Sequence, residues 1–320
     1  MTLSPRRAPG RRGPSSRGFW GTREKPRRLI AILVVAALVA FGAAAAFTAG
    51  SAALERSAAI PAVTPSDEID PDDFDPGLII SDYNFYNADA MTASEVQTFL
   101  ENRSCNPRDG SPCLWEYRES TQSEPAHGAG HCAAYVGQPH ERASTIIARV
   151  SEACGISPRV LLVLLQKEQS LLTAPNESGY LRATGYGCPD TADCNADYFG
   201  FFNQVYNAAW QFRQYTQEPD RAFQVGTIDV GYFPDTACGS APVKIVNQAT
   251  ANLYNYTPYQ PSPQTLAGTA DDCSTYGNLN FWSFYTQWFG EPDSARYPDF
   301  FDPCLNLVDG QPCRAGTLFG

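Results

Sequence analysis

"VLLVLLQKEQSLL", Val160 to Leu172, is the stretch whose reading decides how this chain folds. Six aliphatic residues run together there, and Glu168 then stands among further leucines. "ISPR", Ile156 to Arg159, opens a helix through them, with Ser157 as its N-cap and Pro158 in its first turn. Continued at about 100° per residue, it carries Leu161, Leu164, Leu165, Leu171 and Leu172 to within about a sixth of a turn of Glu168. Glu168 then sits in the middle of the apolar stripe, while Gln166, Lys167, Gln169 and Ser170 point elsewhere. A buried carboxylate is costly unless it is paired or protonated. Such a glutamate either lies near a helix end and snorkels out, or meets a buried cation, for which Arg182 and Arg213 are candidates, or is kept as an acid for chemistry.

Other helices read outward from this one. "TASE", Thr92 to Glu95, is a capping box ahead of Val96, Phe99 and Leu100. "ASTIIARVSEACG" reads as a helix stopped by Gly155, and "FFNQVYNAAWQFRQY" and "NLNFWSFYTQWFG" are helical by the same periodicity. "AFQVGTIDVGYF" and "APVKIVN" alternate as short strands and predict a hairpin. The expected fold class is mainly α, an α+β chain with one small β-hairpin, in a single core from 78 to 290. "EPDSARYPDFFDP" then opens a Pro-rich tail, 291–320.

The two ends of the chain differ in charge. Residues 1–28 hold nine Arg or Lys and one acid, a net of +8, and the remaining residues hold 14 basic and 33 acidic, a net of −19. Residues 29–53 carry no charge, and "LIAILVVAALVAFGAAAAF" is apolar enough to cross a bilayer, so one transmembrane helix is expected. The basic flank stays in the cytoplasm and the rest is exported, whether the segment is kept as a membrane anchor or cleaved as a signal. The main domain is then extracellular at the cytoplasmic membrane, or secreted. Residues 54–77, with seven acids and four prolines, read as a solvated linker. An acidic body without a basic patch argues against nucleic acid as a partner.

All ten cysteines lie in the exported part, which points to five disulfides in an oxidising compartment. Cys105–Cys113, Cys188–Cys194 and Cys304–Cys313 close short loops. Cys132, Cys154, Cys238 and Cys273 remain, and elimination suggests Cys132–Cys154 and Cys238–Cys273 without excluding other pairings.

"ISPRVLLVLLQKEQS" resembles the catalytic-glutamate helix of goose-type lysozymes and soluble lytic transglycosylases, in which Glu-Ser follows an apolar helical run. "YFGFFNQV" is similar to their Gly-Leu-Met-Gln stretch at Gly200 and Gln204, and "NLYNYTPY" to their Tyr-Asn-Ala-Gly stretch at Tyr254 and Asn255. Gln169 stands between Glu168 and Ser170, and Asn203 is an insertion against that pattern. The three motifs span about 90 residues. The longer stretch from "IISDYNFYN" to "FWSFYTQWFG" resembles exported actinobacterial proteins carried under haemagglutinin-like names. The resemblance implies a lysozyme-like domain, Glu168 as the acid, and a sugar cleft lined by Ser170, Gln204, Tyr254 and Asn255.

Most glycosidases use a second carboxylate. The loop "CPDTADCNAD" offers Asp190, Asp193 and Asp197, each individually better suited to ordinary turn duties as a solvated loop acid. In the transglycosylases that this chain resembles, the sugar's own hydroxyl completes the reaction instead. Tyr186, Tyr198, Phe199, Tyr256 and their aromatic neighbours suit sugar faces, although most such rings belong to a core. His127, His131 and His140 are the only histidines, and "HGAGHC" lacks the helical scaffold of a zinc peptidase, so neither metal nor cofactor is expected. The sequence thus points to an exported enzyme that cleaves β-1,4 bonds of peptidoglycan. The alternative is a surface lectin or adhesin that binds the same glycan.

Overall fold

A computed structural model of the chain describes residues 69–189 and 193–294, all within one compact unit, Val63–Gly320. In chain order the helices are α1 (Asp82–Tyr86), α2 (Ala93–Glu101), α3 (Ala143–Cys154), α4 (Pro158–Gln169), α5 (Glu177–Leu181), α6 (Phe201–Gln217), α7 (Gln248–Tyr256), α8 (Pro263–Leu266) and α9 (Gly277–Phe289). The strands are β1 (Arg118–Glu119), β2 (Glu141–Arg142), β3 (Gly226–Gly231) and β4 (Ser240–Ile245).

The apolar run forms α4, the central helix. Val160 to Leu165 are at most 1% exposed, and each such aliphatic side chain contributes about 1.5–3 kcal/mol by leaving water. Helices α3 and α9 pack against it. Ser157 caps it by accepting from Arg159 N–H, and Pro158 lies in its first turn. Its other end differs from the sequence reading. Ser170 is left-handed, with φ 55°, and Leu171 N–H bonds back to Leu165 O across the turn. The helix therefore stops at Gln169, and Leu171 and Leu172 enter the core from the following turn.

The capping box at Thr92 and Glu95 forms at α2, and Gly155, with φ 65°, ends α3. The expected hairpin is β3–β4, antiparallel, with Ile228 opposite Val243. Four disulfides tie the described residues: Cys105–Cys113, Cys132–Cys154, Cys188–Cys194 and Cys238–Cys273. Cys304 and Cys313 lie outside the described residues.

The expected fold class requires correction. The described residues form a mixed α/β fold with two separate two-stranded sheets, rather than a mainly α chain with one hairpin. The second sheet, β1–β2, was hidden because it pairs like with like: Arg118 with Arg142 and Glu119 with Glu141. Such pairs oppose strand formation unless each charge has its own partner. Here Glu141 meets Arg149 and accepts from Thr121 and Tyr135, while Glu119 accepts from Phe202 N–H. The transmembrane helix also lacks support: no described helix is long and apolar enough to cross a membrane. The segment expected to span, 29–53, lies outside the described residues.

Candidate active site

Because α4 ends at Gln169, Glu168 sits at the edge of the core, with 24% of its side chain exposed. Its two oxygens face different groups. Oε1 meets Lys167 Nζ at 2.6 Å, and that ammonium also donates to Thr257 Oγ1 at 2.8 Å. Oε2 faces Gly185, where an added Cβ would lie 3.5 Å away. Neither Arg182 nor Arg213 is the cation. Arg182 reaches Ser178, and the fully buried Arg213 donates to Gly130 O.

Gly185 belongs to the stretch "ATGYGC", where it and Gly187 both take left-handed φ, 72° and 71°. Gln204, fully buried on α6, holds this loop. Its Oε1 accepts from Thr184 N–H and Tyr186 N–H at 3.2 and 3.1 Å. Its Nε2 donates to Tyr186 O and Tyr198 O at 2.9 and 2.8 Å. With this capacity used on backbone, Gln204 fixes where Gly185 stands against Glu168.

Tyr256 closes the other side. Its phenol donates to Thr184 O at 2.8 Å. Burial raises that phenol well above its ordinary range, the Glu168 carboxylate raises it further, and Tyr215 and Tyr186 add to this. Tyr186 stacks edge-on against Tyr198, with ring centroids 4.8 Å apart.

The remaining candidates occupy other places. Ser170 forms the left-handed end of α4. Tyr254 is fully buried, and its hydroxyl donates to Pro76 O at 3.0 Å. Asn255 clamps the Phe223 backbone, donating to its carbonyl at 2.6 Å and accepting from its N–H at 3.3 Å. Asp193, inside the Cys188–Cys194 loop, and Asp197, just after it, are exposed, and Asp190 lies outside the described residues. His127 and His131 lie 5.5 Å apart by ring centroids, beside Trp210, while His140 is exposed near β2. Among the described residues no group of three or more His, Cys, Asp or Glu is arranged to hold a metal ion.

The structure thus gathers Glu168, Lys167, the Gly185 loop, Gln204 and Tyr256. Lys167 carried no assigned role in the sequence, Tyr256 stood there only among the rings suited to sugar faces, and the paired glycines of "ATGYGC" were the signal available for the loop. A further carboxylate, Glu119 on β1, is raised above its ordinary range by burial, against the bonds from Phe202 N–H and Tyr117. It receives the start of α6, where Gly200 is the N-cap and supplies no side chain.

The family described as LasA, N-terminal domain, matches residues 78–300, well over half of the chain. The chain belongs to the LasA N-terminal domain family. The match starts where the acidic linker was expected to end. No curated protein and no solved structure matches. The lysozyme-like architecture expected from the motifs therefore has no counterpart in these comparisons, and the family found is a different one. Four disulfides in this LasA-type domain belong to an oxidising, extracytoplasmic setting.

Proposed function

We propose that this domain acts on the bacterial cell wall, cleaving β-1,4 bonds of the peptidoglycan glycan with Glu168 as the proton donor. The observation that carries this reading is the split carboxylate: Lys167 engages Oε1, while Oε2 faces a glycine over which a substrate oxygen has room. Protonation of the glycosidic oxygen breaks the sugar C–O bond, and the leaving sugar departs as an alcohol carrying that proton. Water, or a hydroxyl of the same sugar, then bonds to the anomeric carbon and returns a proton to Glu168. Tyr186, next to Gly185 in the loop, and Tyr198, edge-on against it, would offer ring faces to the sugar.

Family membership supports the target. LasA is a secreted staphylolytic peptidase. The match here is to its N-terminal domain, so peptide-bond chemistry is not carried over with the family. A second reading rests on the same ion pair: a carboxylate already engaged by an ammonium suits glycan binding without cleavage. The deciding experiment incubates the full-length chain with purified peptidoglycan and measures the masses of released material. Disaccharide-bearing fragments are expected. Glycan retained on the protein with no fragments released favours the binding reading, and neither binding nor release removes the wall glycan as the target.

A further inference from the structure

An open pocket of about 440 Å³ is lined by Tyr215, Glu218, Asp220, Arg221, Ala222 and Asn255. Asn255 is followed on α7 by Tyr256, whose phenol bonds Thr184 O, next to the Gly185 that stands against Glu168. Tyr215, in the lining, donates its hydroxyl to Asn255 O at 3.0 Å.

The lining is charged in both senses. Arg221 Nη2 lies 2.6 Å from Glu218 Oε2, and its guanidinium stands 5.2 Å from the Tyr215 ring centroid. The Asn255 clamp on Phe223 fixes the backbone two residues beyond Arg221. Asp220 is exposed and makes no ion pair or side-chain hydrogen bond among the described residues. A neutral sugar would meet these groups only through its hydroxyls and would leave their charges unmatched. The lining matches a ligand with a free ammonium and a free carboxylate, and its volume falls within the usual range for ligand sites. In the Arg221–Glu218 pair Glu218 is exposed and Arg221 half-buried, so solvent weakens the pair and a ligand's charges can replace it at modest cost.

We infer that this pocket is the subsite for the peptide stem of the wall polymer. A short zwitterionic peptide would place its ammonium between Asp220 and Glu218 and its carboxylate on Arg221. This deepens the wall-glycan reading and rests on it: the enzyme grips glycan that carries peptides, with the peptide in this pocket and the sugar bond at Glu168.

Calorimetry with the full-length chain tests it, using three probes: a soluble disaccharide-tetrapeptide with a free side-chain amine, the same compound N-acetylated, and a peptide-free N-acetylglucosamine oligomer. The free-amine compound should bind at least fivefold more tightly than its acetylated form. Asp220→Asn with Glu218→Gln should abolish that difference and leave the oligomer's affinity unchanged. Arg221→Gln should weaken both peptide compounds. Equal affinity of the free and acetylated compounds, or a preference that survives the double substitution, overturns the peptide subsite. These readouts are independent of turnover, so absent fragment release counts against Glu168 chemistry and leaves the pocket comparison intact.

Discussion

Lys167 Nζ lies 2.6 Å from Glu168 Oε1, although the two are consecutive residues of α4. Neighbours on a helix point about 100° apart, so the lysine stem must bend back along the helix end to make this contact. Only 6% of the lysine side chain is exposed, against 24% for the glutamate. Thr257 Oγ1 is the ammonium's other acceptor. The opening puzzle of a carboxylate amid leucines therefore has a structural component: Glu168 compensates a cation more deeply buried than itself.

That pairing predicts a specific stability cycle. Glu168→Gln keeps an oxygen near Lys167 but removes the charge, so it should cost about 1–2 kcal/mol. Lys167→Met in addition should recover most of that loss, because an apolar side chain suits a site this buried. Chemical denaturation of the two single variants and the double variant measures the coupling. Additive effects within about 0.3 kcal/mol would show that the pair is not coupled in solution.

Gly185→Ala tests the open face of the carboxylate. Gly185 holds φ 72°, where an L-residue costs roughly 1–2 kcal/mol, and its new methyl would lie 3.5 Å from Oε2. The expected outcome is a modest fall in melting temperature together with a much larger fall in glycan cleavage. Full activity in the variant would mean that substrate does not approach Glu168 from this side.

Gln204→Leu probes the clamp behind that loop. Thr184 N–H, Tyr186 N–H, Tyr186 O and Tyr198 O would all lose a buried partner. The loss should be roughly 3 kcal/mol or more, read as a lower denaturation midpoint. A change below about 1 kcal/mol would mean that the loop is not held by this side chain.

Much of α4 was legible because an all-aliphatic run admits one placement, and "ISPR" and "TASE" carry capping chemistry in their own residues. The end of α4 was not legible. A glycine at position 170 would have announced a left-handed turn, and the serine there gives no such sign. The β1–β2 sheet escaped because its strands are two residues long and pair like charges, whose compensation comes from side chains outside the strands, Arg149 and Tyr135 at Glu141, and from the distant Phe202 N–H at Glu119. At the site, Glu168 stood out through its apolar neighbours. Lys167 did not, since helical periodicity turns it away and only side-chain length brings it back.

Asp82 supplies a pH prediction. Burial raises its carboxyl to about 6, even though Ala249 N–H and Gln248 N–H bond to it, and Tyr86 lies close by. The folded chain therefore binds this proton more tightly than the unfolded one. The associated stability is fully present below about pH 4 and is lost as pH rises through 6. Asp82→Asn keeps an acceptor for Ala249 N–H and cannot ionise. It should gain on the order of 2–3 kcal/mol at pH 7 and flatten the stability profile between pH 4 and 6. An unchanged slope across that window would assign the dependence to other groups.

The decisive experiment on function separates chemistry from fold at Glu168. The single variant Glu168→Gln confuses the two, because it also leaves the Lys167 ammonium without its counter-charge. The double variant Lys167→Met/Glu168→Gln removes that objection, since its stability should return close to that of the parent chain. A glutamine in this position has the shape of the acid and no proton to give. If Glu168 protonates the glycosidic oxygen, fragment release should fall by about 10²–10⁴ in both variants, with glycan binding preserved. Recovery of release in the double variant would assign the loss to the strained helix end and remove Glu168 from the chemistry. If the parent chain binds glycan and releases no fragments while both variants bind equally well, Glu168 is a structural counter-ion and the domain is a wall-binding protein.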